Sequence, residues 1–128
     1  MKSHLPPELE PVSLTVKPAA IEAYAQLTQD FNPIHLDPEF AARTPMGGVI
    51  AHGTMSVGLI WRALAQSLLP DDFCNIRLDV RFVKPIRLQE TVVAGGRLQA
   101  GDQPLYDVWV QGAEDGVERI VGTAQLLA

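Results

Sequence analysis

Ile50-Ala-His-Gly-Thr-Met-Ser-Val-Gly-Leu-Ile-Trp-Arg-Ala-Leu-Ala-Gln-Ser-Leu-Leu69 decides how this chain is read. It is about twenty mostly apolar residues, near the length a bilayer span requires. It also holds His52, Arg62 and Gln66, and an arginine near the centre of a span is costly. Apolar side chains recur on every side of the stretch (Ile50, Met55, Val57, Leu59, Ile60, Trp61, Leu64, Leu68, Leu69). That pattern predicts a helix over 50–69 surrounded by protein. Arg62 and Gln66, one turn apart, share the solvent-facing stripe that remains. Gly53, Ser56 and Gly58 let a backbone or a ligand come close, and Pro70-Asp-Asp ends the helix.

C-terminal to this helix the period changes to two. Ile76, Leu78, Val80 and Phe82 alternate with Arg77, Asp79 and Arg81, which predicts a half-buried strand ending at a bend around Lys84-Pro85. Further strands are expected at 91–98, with a bulge or strong curvature at Gly95-Gly96, at 105–111 and at 117–127. Ala100-Gly-Asp-Gln and Gly112-Ala-Glu-Asp-Gly116 supply the hairpin turns. N-terminal to the helix, 12–16 is a strand. Pro18 opens a helix to about Thr28 with Ile21, Tyr24 and Leu27 as its apolar face, and Pro38 opens a short helical turn through Ala42. Four consecutive antiparallel strands need a cover, and only the 50–69 helix is long and apolar enough. The result is an α+β domain spanning 1–128, a curved antiparallel sheet around one long central helix. Its sheet edges call for pairing in a dimer.

The segment Asp30-Phe-Asn-Pro-Ile-His35 carries the chemistry. Pro33 disfavours a regular helical turn there and holds Asn32 extended, so Asp30 and His35 are expected on a bent loop rather than as a helix pair. A carboxylate and an imidazole converging on one small molecule are equipment for moving protons near neutral pH. Asp30 has a plain alternative as a turn cap, and Asp37 reads as the cap of the helix begun by Pro38.

Composition narrows the classes. The chain has 128 residues, 47% hydrophobic and 20% charged, with net charge -5 and no basic run. Nucleic-acid binding is therefore disfavoured. One cysteine, Cys74, excludes an intrachain disulfide and reads as an inert strand residue, and the three histidines show no metal-ligand spacing. No metal or cofactor is expected. Met1-Lys-Ser-His-Leu-Pro-Pro lacks a signal-peptide core, so the expected location is the cytoplasm, without a membrane partner.

The run from Leu27 to Ala41, together with Gly48-Val-Ile-Ala-His-Gly53 and Arg81-Phe-Val-Lys-Pro-Ile86, resembles the MaoC-like dehydratases, a family that includes the R-specific enoyl-CoA hydratases. The resemblance implies the hot dog fold, normally dimeric, and a reaction that adds water to a trans-2-enoyl thioester or removes it from the product. It implies Asp30 and His35 as the catalytic pair. It implies Gly53 as the residue whose backbone N–H receives the thioester oxygen. Asn32, Phe40, His52, Ser56 and Trp61 are the expected substrate-binding positions. His52 has a second reading, as a structural group bonding loop backbone at the helix start.

One position departs from the family. Where some members carry a supporting serine on the central helix, this chain has Trp61, whose indole donates but cannot accept. Either support comes from elsewhere, with Ser56 the nearest hydroxyl, or the pocket is reshaped and its acyl end shortened. The leading expectation is an R-specific trans-2-enoyl-CoA hydratase acting on an acyl-CoA or acyl-carrier-protein thioester, as a homodimer. A hot-dog thioesterase and a non-catalytic acyl-thioester-binding subunit are the alternatives. Arg77, Arg81, Lys84 and Arg87 read as a solvated face, with contact to coenzyme A phosphates as the second possibility. Gly-Thr-Met-Ser-Val-Gly around Ser56 is not a serine-hydrolase elbow, and no phosphate-loop motif is present.

Overall fold

The computed structural model describes residues 4–127. Three residues of the N-terminal stretch read for a signal peptide, and residue 128, lie outside the described residues. In chain order the elements are β1 (Val12–Thr15), α1 (Pro18–Thr28), α2 (Pro33–Leu36), α3 (Pro38–Ala42), α4 (Gly53–Ser67), α5 (Pro70–Phe73), β2 (Ile76–Phe82), β3 (Thr91–Leu98), β4 (Leu105–Gly112) and β5 (Glu118–Leu126). The five strands form one antiparallel sheet in the order β1-β3-β4-β5-β2, with β1 and β2 at its edges.

Helix α4 packs on β1, β3 and β4. Ile60, Ala63 and Leu64 are sealed against Val92, Ala94, Val108 and Val110. Each large aliphatic side chain removed from water this way contributes about 1.5–3 kcal/mol. This is the sheet around a central helix expected from periodicity, and the hot dog fold that the resemblance implied. Tyr106 fixes the N-terminal approach to the sheet, donating its hydroxyl to the Pro6 carbonyl at 2.6 Å. Burial, helped by the charge of Asp72, pushes its phenol up to about 12.

Several local expectations are corrected. Helix α4 begins at Gly53, not Ile50, because residues 49–51 are extended and pair with 86–88: Ala51 N–H donates to Ile86 O at 2.8 Å, and Ile50 bridges Arg87. Arg62 and Gln66 face solvent as expected, but Thr54, Gly58 and Ala65 are exposed with them, so the open stripe is wider than the apolar pattern implied. Leu27 does not join the inner face of α1: it is 80% exposed, and Ile21 and Ala25, one turn apart, are the residues buried.

Pro33 does not prevent a helical turn. It takes the first position of α2, where its missing N–H costs nothing, and Asn32 before it stays extended and accepts from Ile34 N–H. Gly95-Gly96 contain no bulge. They pair in register with Trp109 and Val108, and the register shift lies at Val110/Gln111. Gly95 instead makes room for an indole, since a Cβ there would sit 2.9 Å from Trp109 Nε1. Cys74 is the exposed C-cap of α5, not a strand residue. None of the helices among the described residues is long and apolar enough to cross a membrane.

Candidate active site

The site is assembled where α1, α2 and the N-terminus of α4 meet. Gln29, in the left-handed conformation at φ 58°, ends α1 and turns the chain so that Asp30 N–H closes on Ala25 O at 3.1 Å. Asp30 Oδ1 accepts from Asn32 N–H at 3.2 Å. This is the turn cap that sequence offered as the plain reading of Asp30. Asn32 in turn caps α2, which carries His35. Asp37 caps α3 by accepting from the N–H groups of Glu39 and Phe40.

The fold stacks His35 on His52, with ring centroids 3.9 Å apart and planes 27° apart. Tyr24 of α1 presents its edge to His52, and its hydroxyl pairs with Thr54 Oγ1 at 2.6 Å. His35 Nδ1 lies 2.7 Å from Ile50 O, and His52 Nε2 lies 3.1 Å from Asp30 O. Polar atoms of Asp30, His35 and His52 all fall within 4.8 Å of one another. By distance the trio could hold a cation, although one nitrogen of each imidazole is already committed to a backbone carbonyl.

His52 is also the N-cap of α4, yet its side chain makes no capping bond. A serine or aspartate there would occupy one of the first N–H groups of the helix. With His52 turned back to Asp30, those donors and the positive end of the helix dipole are left for a ligand. Gly53, the first residue of α4, opens on a cleft of about 320 Å³ lined by His35, Met46, Ala51, His52, Phe82 and Ile86, with Lys84 and Ile120. The lining is mostly carbon, with few polar groups, as small-molecule sites generally are. A Cβ on Gly53 would come within 2.8 Å of the Phe82 ring.

Of the expected residues, the cleft brings together His35, His52 and Gly53. Asp30 stands exposed beside the imidazoles without lining the cleft. Asn32 and Phe40 are placed apart from the lining, Asn32 serving as the α2 cap. Ser56 is wholly buried one turn beyond His52. Trp61 packs edge-on against Phe73, ring centroids 6.1 Å apart, and does not narrow this cleft.

Phe82 and Lys84, read from sequence as a strand position and as part of a basic face, were not expected in the cleft lining, where the structure places both. The signal for Phe82 was its place at the end of an alternating strand: counted as a core position, it is 57% exposed and faces the cleft. The backbone behind it is held by Arg119, whose carbonyl accepts from both Val83 and Lys84 N–H. The Arg119 side chain is buried and paired with Glu90 at 2.6 Å and Asp115 at 3.0 Å. Arg77, Arg81, Lys84 and Arg87 are exposed, as expected of a solvated face.

The model of the MaoC like domain matches residues 5–126. The chain belongs to the MaoC-like domain family. Among curated relatives, it is 40% identical over 72 residues to a 3-hydroxybutyryl-CoA dehydratase of Methylorubrum extorquens, covering 56% of this chain and 46% of that protein. It is 36% identical over 76 residues to an (R)-specific enoyl-CoA hydratase of Aeromonas caviae, covering 59% and 57%. It is 32% identical over 124 residues to 3-hydroxyacyl-thioester dehydratase X of Mycobacterium tuberculosis, covering 97% and 41%. The chain thus spans about half the length of the curated relatives it matches. The solved (R)-hydratase from A. caviae involved in PHA biosynthesis superposes on this MaoC-like domain with a TM-score of 0.77 at 26% identity, over 98% of this chain and 99% of that one.

Proposed function

We propose that this MaoC-like domain catalyses reversible hydration of a trans-2-enoyl-CoA to the R-3-hydroxyacyl thioester. The observation that carries the reading is the convergence of Asp30 and His35 beside Gly53, at the open N-terminus of α4. Hydration needs two separated functions. One set of groups must hold a water and manage its protons, and another must stabilise the enolate oxygen that forms as the water oxygen bonds to the β-carbon. Asp30 and His35 supply the first. The Gly53 N–H, fixed in direction and backed by the helix dipole, supplies the second. The C=C electron pair moves onto the thioester as the C–O bond forms, then returns to take a proton at the α-carbon. One water is added overall.

Ile50 O fixes the proton of His35 on Nδ1, because a carbonyl can only accept. In the neutral ring Nε2 is then the acceptor for a proton of the attacking water. Asp30, with Oδ1 bonded to Asn32 N–H, orients that water and shares the proton traffic. The names of the curated relatives, hydratases and dehydratases of acyl thioesters, support the same reaction.

In this reading the chain is a single cytoplasmic domain working as a homodimer on an acyl-CoA thioester, without a cofactor. The dimer is supported by β2 at an edge of the sheet and by exposed apolar Phe82 and Val83 at its end. Incubation with crotonyl-CoA and chiral analysis of the 3-hydroxybutyryl product tests the assignment. The R product is expected. S product, or none beyond the rate in buffer, would overturn it.

A further inference from the structure

Two polar atoms buried at the root of the site have no hydrogen-bond partner: Nδ1 of His52 and Oγ of Ser56. Their residues are 3% and 0% exposed, so bulk water cannot satisfy them, and unpaired buried groups of this kind are rare. His52 is the N-cap of α4, and Ser56 lies four residues on, one turn into the helix.

The hydrogen bonds around the stacked rings fix where their protons are. His52 Nε2 lies 3.1 Å from Asp30 O, and His35 Nδ1 lies 2.7 Å from Ile50 O. Both partners are backbone carbonyls and only accept, so each of those nitrogens carries a hydrogen. The neutral rings are therefore opposite tautomers. His35 keeps a lone pair at Nε2, in the cleft. His52 keeps one at Nδ1, in the interior, where it needs a donor. The Ser56 hydroxyl is a donor that needs an acceptor.

We propose that the Ser56 hydroxyl serves His52 Nδ1, by a turn of the serine side chain or through one internal water, and that Ser56 and His52 together position Asp30 and His35 against Gly53. Ser56 holds His52 in the tautomer whose Nε2–H grips the Asp30 carbonyl. The face of the same ring supports the His35 imidazole. Both proton-transfer groups are thereby referenced to the helix end that bears the oxyanion donor. Neither Ser56 nor His52 need touch the reacting atoms; they are positioning residues. The kinetic part of this proposal rests on the hydratase reading, whereas the tautomer and its hydrogen bond do not.

Long-range proton–nitrogen NMR on the nitrogen-15-labelled chain tests the bond itself. The chain has three histidines, and a His4→Gln variant leaves only His35 and His52 to assign. The expected spectrum at pH 7.5 shows His52 protonated at Nε2 alone and His35 at Nδ1 alone, with the His52 Nδ1 resonance moving on Ser56→Ala. A proton on His52 Nδ1, or an Nδ1 resonance indifferent to Ser56→Ala, would overturn the proposal.

In kinetics with crotonyl-CoA, Ser56→Ala should lower kcat about ten- to a hundredfold with KM little changed, as misplacing catalytic groups does. His52→Gln, which keeps an N–H within reach of the Asp30 carbonyl, should retain more activity than His52→Leu. Unchanged kcat in Ser56→Ala, or equal losses in the two His52 variants, would contradict the positioning role. Failure of the unaltered protein to hydrate crotonyl-CoA would count against the reaction, while the nitrogen spectrum would still decide the Ser56–His52 bond.

Discussion

The imidazoles of His35 and His52 lie stacked 3.9 Å apart while each donates to a different backbone carbonyl. Both rings line the cleft, but His52 is buried where His35 is half-buried, so similar side chains are placed differently. His52 fastens the Asp30 loop to the head of α4, and His35 keeps Nε2 for the proposed proton transfer.

Removing either proton-transfer group should therefore abolish most turnover without unfolding the domain. Asp30 is exposed and His35 only half-buried, so neither carries the core. Asp30→Asn and His35→Ala are each expected to lower kcat/KM for crotonyl-CoA about a hundred- to ten-thousandfold. Thermal melting within a few degrees of the unaltered protein checks that the loss is chemical. Near-native rates in both variants would overturn the site.

The backbone donor of Gly53 can be removed separately. Gly53 is the first residue of α4, and His52 before it is extended at φ -60° and ψ 128°, a setting that tolerates proline. Gly53→Pro deletes the N–H. Gly53→Ala keeps it but brings a methyl against Phe82, and so serves as the steric control. The proline variant should lose about a hundred- to a thousandfold more kcat than the alanine variant. Equal losses in stopped assays would mean that the N–H is not the oxyanion donor.

Acid should act through the Arg119 cluster. Burial raises the Glu90 carboxyl, but the hydrogen bonds from Arg119 and from Arg87 N–H, with the charge of Arg119, outweigh it and hold Glu90 below its ordinary 4.5. The Val117 N–H bond, then Arg119, hold Asp115 low as well. Depressed carboxyls contribute stability that is fully present above their unfolded values and is lost as pH falls through the folded ones. Melting temperature should hold down to about pH 4.5 and fall steeply below it. Glu90→Gln should flatten that fall. A variant with the same acid limb as the unaltered protein would contradict the cluster's role.

Strand β2 depends on Gly122. A Cβ there would run into the backbone carbonyl of Asp79 on the paired strand, and backbone cannot swing aside as a side chain can. Gly122→Ala is expected to cost about 1–3 kcal/mol, read as a lowered denaturant midpoint. Since β2 ends at Phe82 in the cleft wall, activity should fall with it. A midpoint unchanged from the unaltered protein would show that the strands separate freely.

Period and punctuation made most of the fold legible. The alternation from Ile76 to Phe82 is β2, and Pro18 and Pro38 open α1 and α3 where their fixed φ suits a first turn. What sequence could not show depends on distant partners. Nothing local reveals that Ile86 pairs with Ala51 and so delays α4 to Gly53, or that Gly95 is small because Trp109 lies over it. The candidate site was legible as residue types at Asp30 and His35, and through the family resemblance at Gly53. The stacking of His52 and the turning of Phe82 into the cleft were not, because neither has a periodic signature. Pro33 misled through a true rule, since proline disfavours helix interiors but fits the first position of α2.

The proposed reaction is addition of water to the double bond rather than cleavage of the thioester. Following the conjugated enoyl absorbance of crotonyl-CoA beside a free-thiol assay separates the two. Loss of that absorbance without release of thiol is expected. Release of thiol with the absorbance retained would contradict the proposed reaction and leave a thioesterase in its place.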